Sequence, residues 1–150
     1  MTTKELTGKV VCITGAAGGI GSAIARAFAG AGTNLALLDL NEEGLARLAH
    51  EVRGKRTPPI SVRTVVADLS TEQGVTSGIA EALSAFGNRI DILVANVGFL
   101  IAQRFEELTG EQWQRAFKLN FFTHVYACQA VIPLMKQRGG GTIIFTGPDG

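Results

Sequence analysis

Short, nearly continuous apolar runs recur along this chain, separated by stretches in which apolar residues return every three or four positions. The runs fall near 9–14, 34–38, 62–66, 90–94 and 142–145, and they predict strands. The stretches near 19–31, 41–53, 71–86 and 110–138 predict helices; in the first of them Ile20, Ala23, Ile24, Ala27 and Phe28 share one face. Regular alternation of the two predicts a three-layer α/β/α fold with a doubly wound parallel sheet. Right-handed crossovers then give strand order 3-2-1-4-5, with a ligand across the C-terminal edge of the strands.

Start signals refine two helices. Ser70-Thr71-Glu72-Gln73 and Thr109-Gly110-Glu111-Gln112 each place a hydroxyl three residues before a Gln, the pattern of a capping box. The loop from Lys55 to Ser61, with Pro58-Pro59, is the one notable irregular insertion. No repeat or linker divides the chain, so residues 1–150 are expected to form one domain. The long 110–138 helix is apolar on two sides. One stripe holds Trp113, Phe117, Phe121, Val125, Cys128 and Ile132, and another holds Phe122, Tyr126 and Val131. A helix covering a sheet needs a single stripe, so the second should bury against another surface.

Candidate chemistry centres on Thr14-Gly15-Ala16-Ala17-Gly18-Gly19-Ile20-Gly21, between the first strand and first helix. Glycines there let the backbone turn sharply and approach a diphosphate, while the N–H groups and positive end of the next helix supply the counter-charge. Glycine is 19 of 150 residues, so the pattern alone is weak. Context raises it: a strand precedes, a helix follows, and Asp39 ends the next strand, placed to hold a ribose. The site therefore expects a dinucleotide. NAD is favoured over NADP, because the Asp39 charge would repel a 2′-phosphate and neither Leu40 nor Asn41 offsets it.

Composition narrows the partners. With 14 basic and 13 acidic residues the net charge is +1, and the basic ones are scattered apart from Arg53-Gly54-Lys55-Arg56, read as a solvated helix end and loop. Nucleic acid is not expected. The 46% hydrophobic content suits a sizeable core, yet no stretch reaches the roughly 20 apolar residues of a membrane helix, and the polar Met1-Thr2-Thr3-Lys4-Glu5 start is no signal peptide. A cytoplasmic location follows as an expectation. Cys12 and Cys128 lack metal or redox spacing and read as free thiols, so no metal site is expected. His50 reads as a solvated helix-end residue. His124, one turn after Asn120, reads as packing, with a place in the cleft as the sharper alternative.

The spacing Gly15-x-x-x-Gly19-x-Gly21 resembles that of the short-chain dehydrogenase/reductase family, which has a Rossmann fold. Asp68-Leu69 resembles the pair that approaches the adenine in that family. Leu93-Val94-Ala95-Asn96-Val97-Gly98 is similar to its L-V-N-N-A-G, with Ala95 and Val97 as departures. Lys118-Leu119-Asn120 resembles its V-N motif and Gly141-Thr142-Ile143-Ile144-Phe145-Thr146 its fifth strand. The resemblance implies Thr14, Gly15, Gly19, Ile20, Gly21, Asp39, Asp68, Leu69, Asn96 and Gly98 as cofactor-binding residues. It also implies hydride transfer between a nicotinamide and a small alcohol or carbonyl substrate. Asn120 would hold a proton-relay water. Homo-oligomer contacts through the 110–138 helix are implied too, with burial beneath a further C-terminal helix as the alternative.

Other parts of the family pattern find no match. The family's Ser after the fifth strand and its Tyr-x-x-x-Lys have no counterpart: the single Tyr is Tyr126, with Ala130 four residues on, and the last Ser is Ser84. Alignment puts Pro148, or with a slip of one Gly147, at the serine position; Thr146 lies two residues short, and Asp149 could donate only if protonated. Family members continue well beyond residue 150, so a truncated chain is expected, inactive as 1–150, with an unpaired apolar edge at Thr142–Phe145 that favours association. Two functions follow. One is an oxidoreductase; the other is a catalytically inactive nucleotide-binding or interaction subunit.

Overall fold

The computed structural model describes residues 3–54 and 58–147. A short helix, α1 (Thr3–Leu6), leads into β1 (Val10–Thr14), α2 (Gly19–Gly30), β2 (Asn34–Asp39), α3 (Glu42–Arg53), β3 (Val62–Val66), α4 (Glu72–Ala85) and β4 (Ile92–Ala95). A 3₁₀ turn (Phe105–Glu107), α5 (Gly110–Phe117), a π-helical turn (Lys118–Phe122), α6 (Thr123–Gln137) and β5 (Thr142–Phe145) follow. The five strands form one sheet of order β3-β2-β1-β4-β5, all parallel, as the alternating pattern predicts. The chain thus has the doubly wound α/β architecture.

Strand alternation sorts the core into two layers. Val11, Ile13, Leu35 and Leu37 face α2 and α3, while Val10, Cys12, Ala36 and Leu38 face α4 and α6. Both faces are covered, so the central strands read as continuous apolar runs rather than alternating ones. Ile13, Leu35, Leu37, Val75, Ile79 and Leu93 are fully buried, each contributing about 1.5–3 kcal/mol of hydrophobic stabilisation. Burial pushes the Cys12 thiol up to about 12, consistent with a free packing residue.

Three expectations change. The 110–138 helix runs through without a gap but is not α-helical throughout. The π-helical turn at Lys118–Phe122 inserts one residue between α5 and α6, which changes the facing of the two halves. The face of α6 that packs on the sheet is Thr123, Ala127, Val131 and Met135, so Val131 is buried there and does not share the more exposed stripe of Phe122 and Tyr126. At α4 the N-cap is Thr71, whose hydroxyl accepts from Gly74 N–H at 3.0 Å, and no Ser70–Gln73 box forms. The cause is Asp68, whose Oδ1 takes the Ser70 N–H and whose carbonyl takes the Thr71 hydroxyl, moving the helix start one residue on. The box at Thr109–Gln112 forms in both directions.

Arg53 donates to the Val62 carbonyl at 2.7 Å, so it ties the end of α3 to β3; Lys55, Arg56, Pro148 and Asp149 lie outside the described residues. Among the described residues no helix is long and apolar enough to cross a membrane.

Candidate nucleotide-binding site

A cleft of about 1440 Å³ runs across the C-terminal edge of the sheet and along one side of α6. That exceeds the roughly 300–1,000 Å³ of a single small-ligand pocket, so it can take a long ligand in sections. Gly15, Gly19, Ile20, Gly21, Asp39, Asp68, Leu69, Asn96, Gly98 and Asn120 all line it, while Thr14 lies fully buried beneath.

The glycine turn is built for close approach. Gly15 has φ +65°, which disfavours a side chain, and a Cβ on Gly21 would collide with the Gly15 carbonyl. Gly19 has open space where a Cβ would stand, on the cleft side. The N-cap Gly18 offers no side-chain cap and the first turn of α2 holds no acid, so the helix N–H groups are left to whatever sits there. Ile20 is 63% exposed at this spot, on the cleft wall.

Carboxylates define the next section. Asp39 accepts from Ala17 N–H through Oδ2 and from Asn41 N–H through Oδ1, both at 2.9 Å, which locks the carboxylate between the glycine turn and α3. Each oxygen keeps a lone pair for a further donor. The Ser70 hydroxyl and then its N–H hold the Asp68 carboxyl below the usual range; Lys118 adds in the same sense and slight desolvation opposes. Leu69 is buried, and its carbonyl accepts from the Thr123 hydroxyl at 2.9 Å, which pins the β3–α4 loop to the start of α6.

At the centre of the edge, Asn96 donates its backbone N–H to Thr14 Oγ1 at 3.0 Å, and its side-chain amide reaches the Thr14 and Gly15 carbonyls at 3.2 and 3.1 Å. Ala95 is fully buried, so its side chain does not reach the cleft. Asn120 sits in the π-helical turn, where it accepts from Phe99 N–H at 2.7 Å and donates to the Phe99 carbonyl at 2.8 Å. This two-way clamp occupies one donor and one acceptor of its side chain. It fixes the loop after β4, over which the Arg115 guanidinium lies 4.3 Å from the Phe99 ring centre.

The α6–β5 side is of another kind. His124 lies in the cleft wall, its ring edge-on to Phe145 with centroids 5.8 Å apart, and its Nδ1 is shielded from solvent with no hydrogen-bond partner among the described residues. Burial pushes its pKa down. Tyr126 packs against the core and Phe122 instead of facing the cleft. Thr146 donates its hydroxyl to Asn96 Oδ1 at 3.0 Å, and Gly147 brings no side chain. Sequence reasoning noticed Thr146 as the nearest hydroxyl but not its partner, and it did not anticipate the Asn120–Phe99 clamp. Both are contacts between distant segments that no local spacing encodes.

These motifs and this sheet define a class of protein. The family model for short chain dehydrogenase matches residues 9–148, and the chain belongs to that family. It is 40% identical over 140 residues to the D-threitol dehydrogenase of Mycolicibacterium smegmatis, covering 93% of this chain and 52% of that enzyme. It superposes on the L-sorbose reductase of Gluconobacter frateurii, solved with NADPH and L-sorbose, with TM-score 0.86 and 34% identity, covering 93% of this chain and 52% of that one. A xylitol dehydrogenase with bound NAD⁺ gives TM-score 0.88 at 32% identity, covering 96% and 54%. The chain spans about half the length of the relatives it matches.

Proposed function

We propose that this chain is the nucleotide-binding part of a nicotinamide-dependent oxidoreductase acting on a small alcohol or carbonyl compound. The observation that carries the reading is the uncapped N-terminus of α2, reached through a turn in which Gly21 admits no side chain, directly beside the fixed Asp39 carboxylate. Membership of the family and the bound NADPH and NAD⁺ of the two solved relatives support it.

In this reading the α2 N–H groups and Gly15, Gly19, Ile20 and Gly21 receive the diphosphate, with Thr14 bracing the turn from below. Asp39 accepts from the adenosine ribose hydroxyls, Asp68 and Leu69 border the adenine, and Asn96 and Gly98 form the floor towards the nicotinamide. When bound, the cofactor supplies or accepts hydride. Asn120 holds the loop that borders the reacting end; since Phe99 occupies one donor and one acceptor site of its amide, a relay water would use the donor and the lone pair that remain. NAD is preferred to NADP, because the Asp39 carboxylate repels a 2′-phosphate. Self-association through the 110–138 segment, supported by the exposed Trp113, Phe117, Phe121 and Phe122, belongs to the same reading, as does a cytoplasmic location.

A second reading, a nucleotide-binding subunit without catalysis, is favoured by one feature. At the end of β5 the only described hydroxyl, that of Thr146, already donates to Asn96. Titration of the protein with NADH and NADPH tests the cofactor assignment: tighter NADH binding is expected, and tighter NADPH binding overturns it. Oxidation of short polyols with NAD⁺ separates the two functions when it is measured on a protein that carries this chain together with the remaining half of the fold, because residues 1–150 are expected to be inactive in either reading. Turnover supports the enzyme, and binding without turnover supports the subunit.

A further inference from the structure

Asn96 is held from both sides of the sheet's centre. Its two amide hydrogens are directed at the Thr14 and Gly15 carbonyls, which leaves Oδ1 pointing at β5, where the Thr146 hydroxyl donates to it at 3.0 Å. Thr146 is fixed in turn, its backbone N–H donating to the Ala95 carbonyl at 3.2 Å. The amide also sets the clearance of the glycine turn: Nδ2 would stand 3.3 Å from a Cβ on Gly15 and 2.8 Å from one on Gly21. A rotation of this side chain would therefore move against the backbone of both glycines. Nothing else among the described residues bonds to Oδ1, so the Thr146 proton is what opposes that rotation on the β5 side.

We propose that Thr146 is a positioning residue for the diphosphate of a bound nucleotide, acting through Asn96 on the backbone of Gly15 and Gly21. This rests on the nucleotide-binding reading above and adds a role to a residue on the opposite edge of the site. It joins the end of β5, towards which the reacting end of the ligand would lie, to the turn that carries the phosphates. Tightness at one place is then felt at the other.

Thr146→Val keeps the shape and removes the proton, while Thr146→Ser keeps the proton. Affinity for ADP-ribose, measured by calorimetry, is expected to fall about three- to tenfold in Thr146→Val, the range of one neutral hydrogen bond, and to be restored by Thr146→Ser. Affinity for adenosine, followed by NMR shifts, should stay unchanged, because Asp39 and Asp68 lie on the far side of the turn. Equal loss for both ligands, or unchanged ADP-ribose binding in Thr146→Val, overturns the proposal while leaving the nucleotide-binding reading intact. Failure of the unaltered protein to bind ADP-ribose overturns both. Independently of any variant, the Asn96 side-chain amide should be rigid and slow to exchange in the unaltered protein; a freely averaging amide refutes the positioning role.

Discussion

At the β1–β2 end of the cleft the polar groups are already held, whereas at the α6–β5 end apolar surface and an unpaired imidazole nitrogen face each other. Thr14, Asp39 and Asn96 are each fixed by backbone partners, and the strands beneath them are buried on both faces. Ile144 and Phe145 are 38% and 59% exposed on a strand that, among the described residues, pairs only with β4, and His124 Nδ1 has no partner among those residues. The contrast teaches that rigidity here follows what must be recognised. In the nucleotide-binding reading, a diphosphate and a ribose are constant groups that backbone and one carboxylate would read, so a prebuilt cradle would suit them.

The contrast predicts a large asymmetry in stability. Leu37→Ala, at a fully buried position under the glycine turn, should cost about 2–5 kcal/mol in denaturant unfolding. Phe145→Ala, on the exposed strand, should stay within about 0.5 kcal/mol. Comparable losses at the two positions would break the comparison, because they would mean that the β5 side is packed as tightly as the centre.

The next effect is on recognition. Asp39→Ala should weaken NADH binding about ten- to a hundredfold, the worth of hydrogen bonds to a charged group, while NADPH binding weakens less or improves. ADP-ribose carries the same adenosine ribose, so the loss should appear for it as well, increased by any loosening of the Ala17 N–H that Asp39 also holds. An unchanged ratio between the two cofactors would show that selectivity resides elsewhere.

The smallest effect sharpens the α6–β5 side. Burial lowers the His124 pKa from its ordinary 6.5, so the unfolded chain binds the proton more readily than the folded one. The associated stability is fully present above 6.5 and is lost as pH falls below it. His124→Phe should remove that part of the pH dependence and make the protein relatively more stable in mild acid. Parallel stability curves for the two proteins across that window would show that the ring is already free to protonate in the fold.

Much of the cradle was legible in the sequence because its parts are local. Gly15 to Gly21 is one turn, Asp39 ends the neighbouring strand, and the order 3-2-1-4-5 follows from alternation and handedness. The π-helical turn at Lys118–Phe122 was not legible, since a single inserted residue barely disturbs an apolar pattern that already runs nearly all round the helix. Nor was the Thr146–Asn96 hydrogen bond, whose two partners lie 50 residues apart and meet only once β4 and β5 are paired. Thr71 displaced Ser70 as the cap for a similar reason, as Asp68 claims the Ser70 N–H first.

Cys12 sits in the middle of the central strand, fully buried, with its proton held far more tightly than that of an exposed thiol, while the other cysteine, Cys128, lines the cleft. Thiolate is the reactive form, so a modifying reagent reaches Cys12 only through an opening of the sheet itself. The chain thus carries its own clock: the ratio of labelling rates at the two sulfurs counts how often the centre of the fold comes apart.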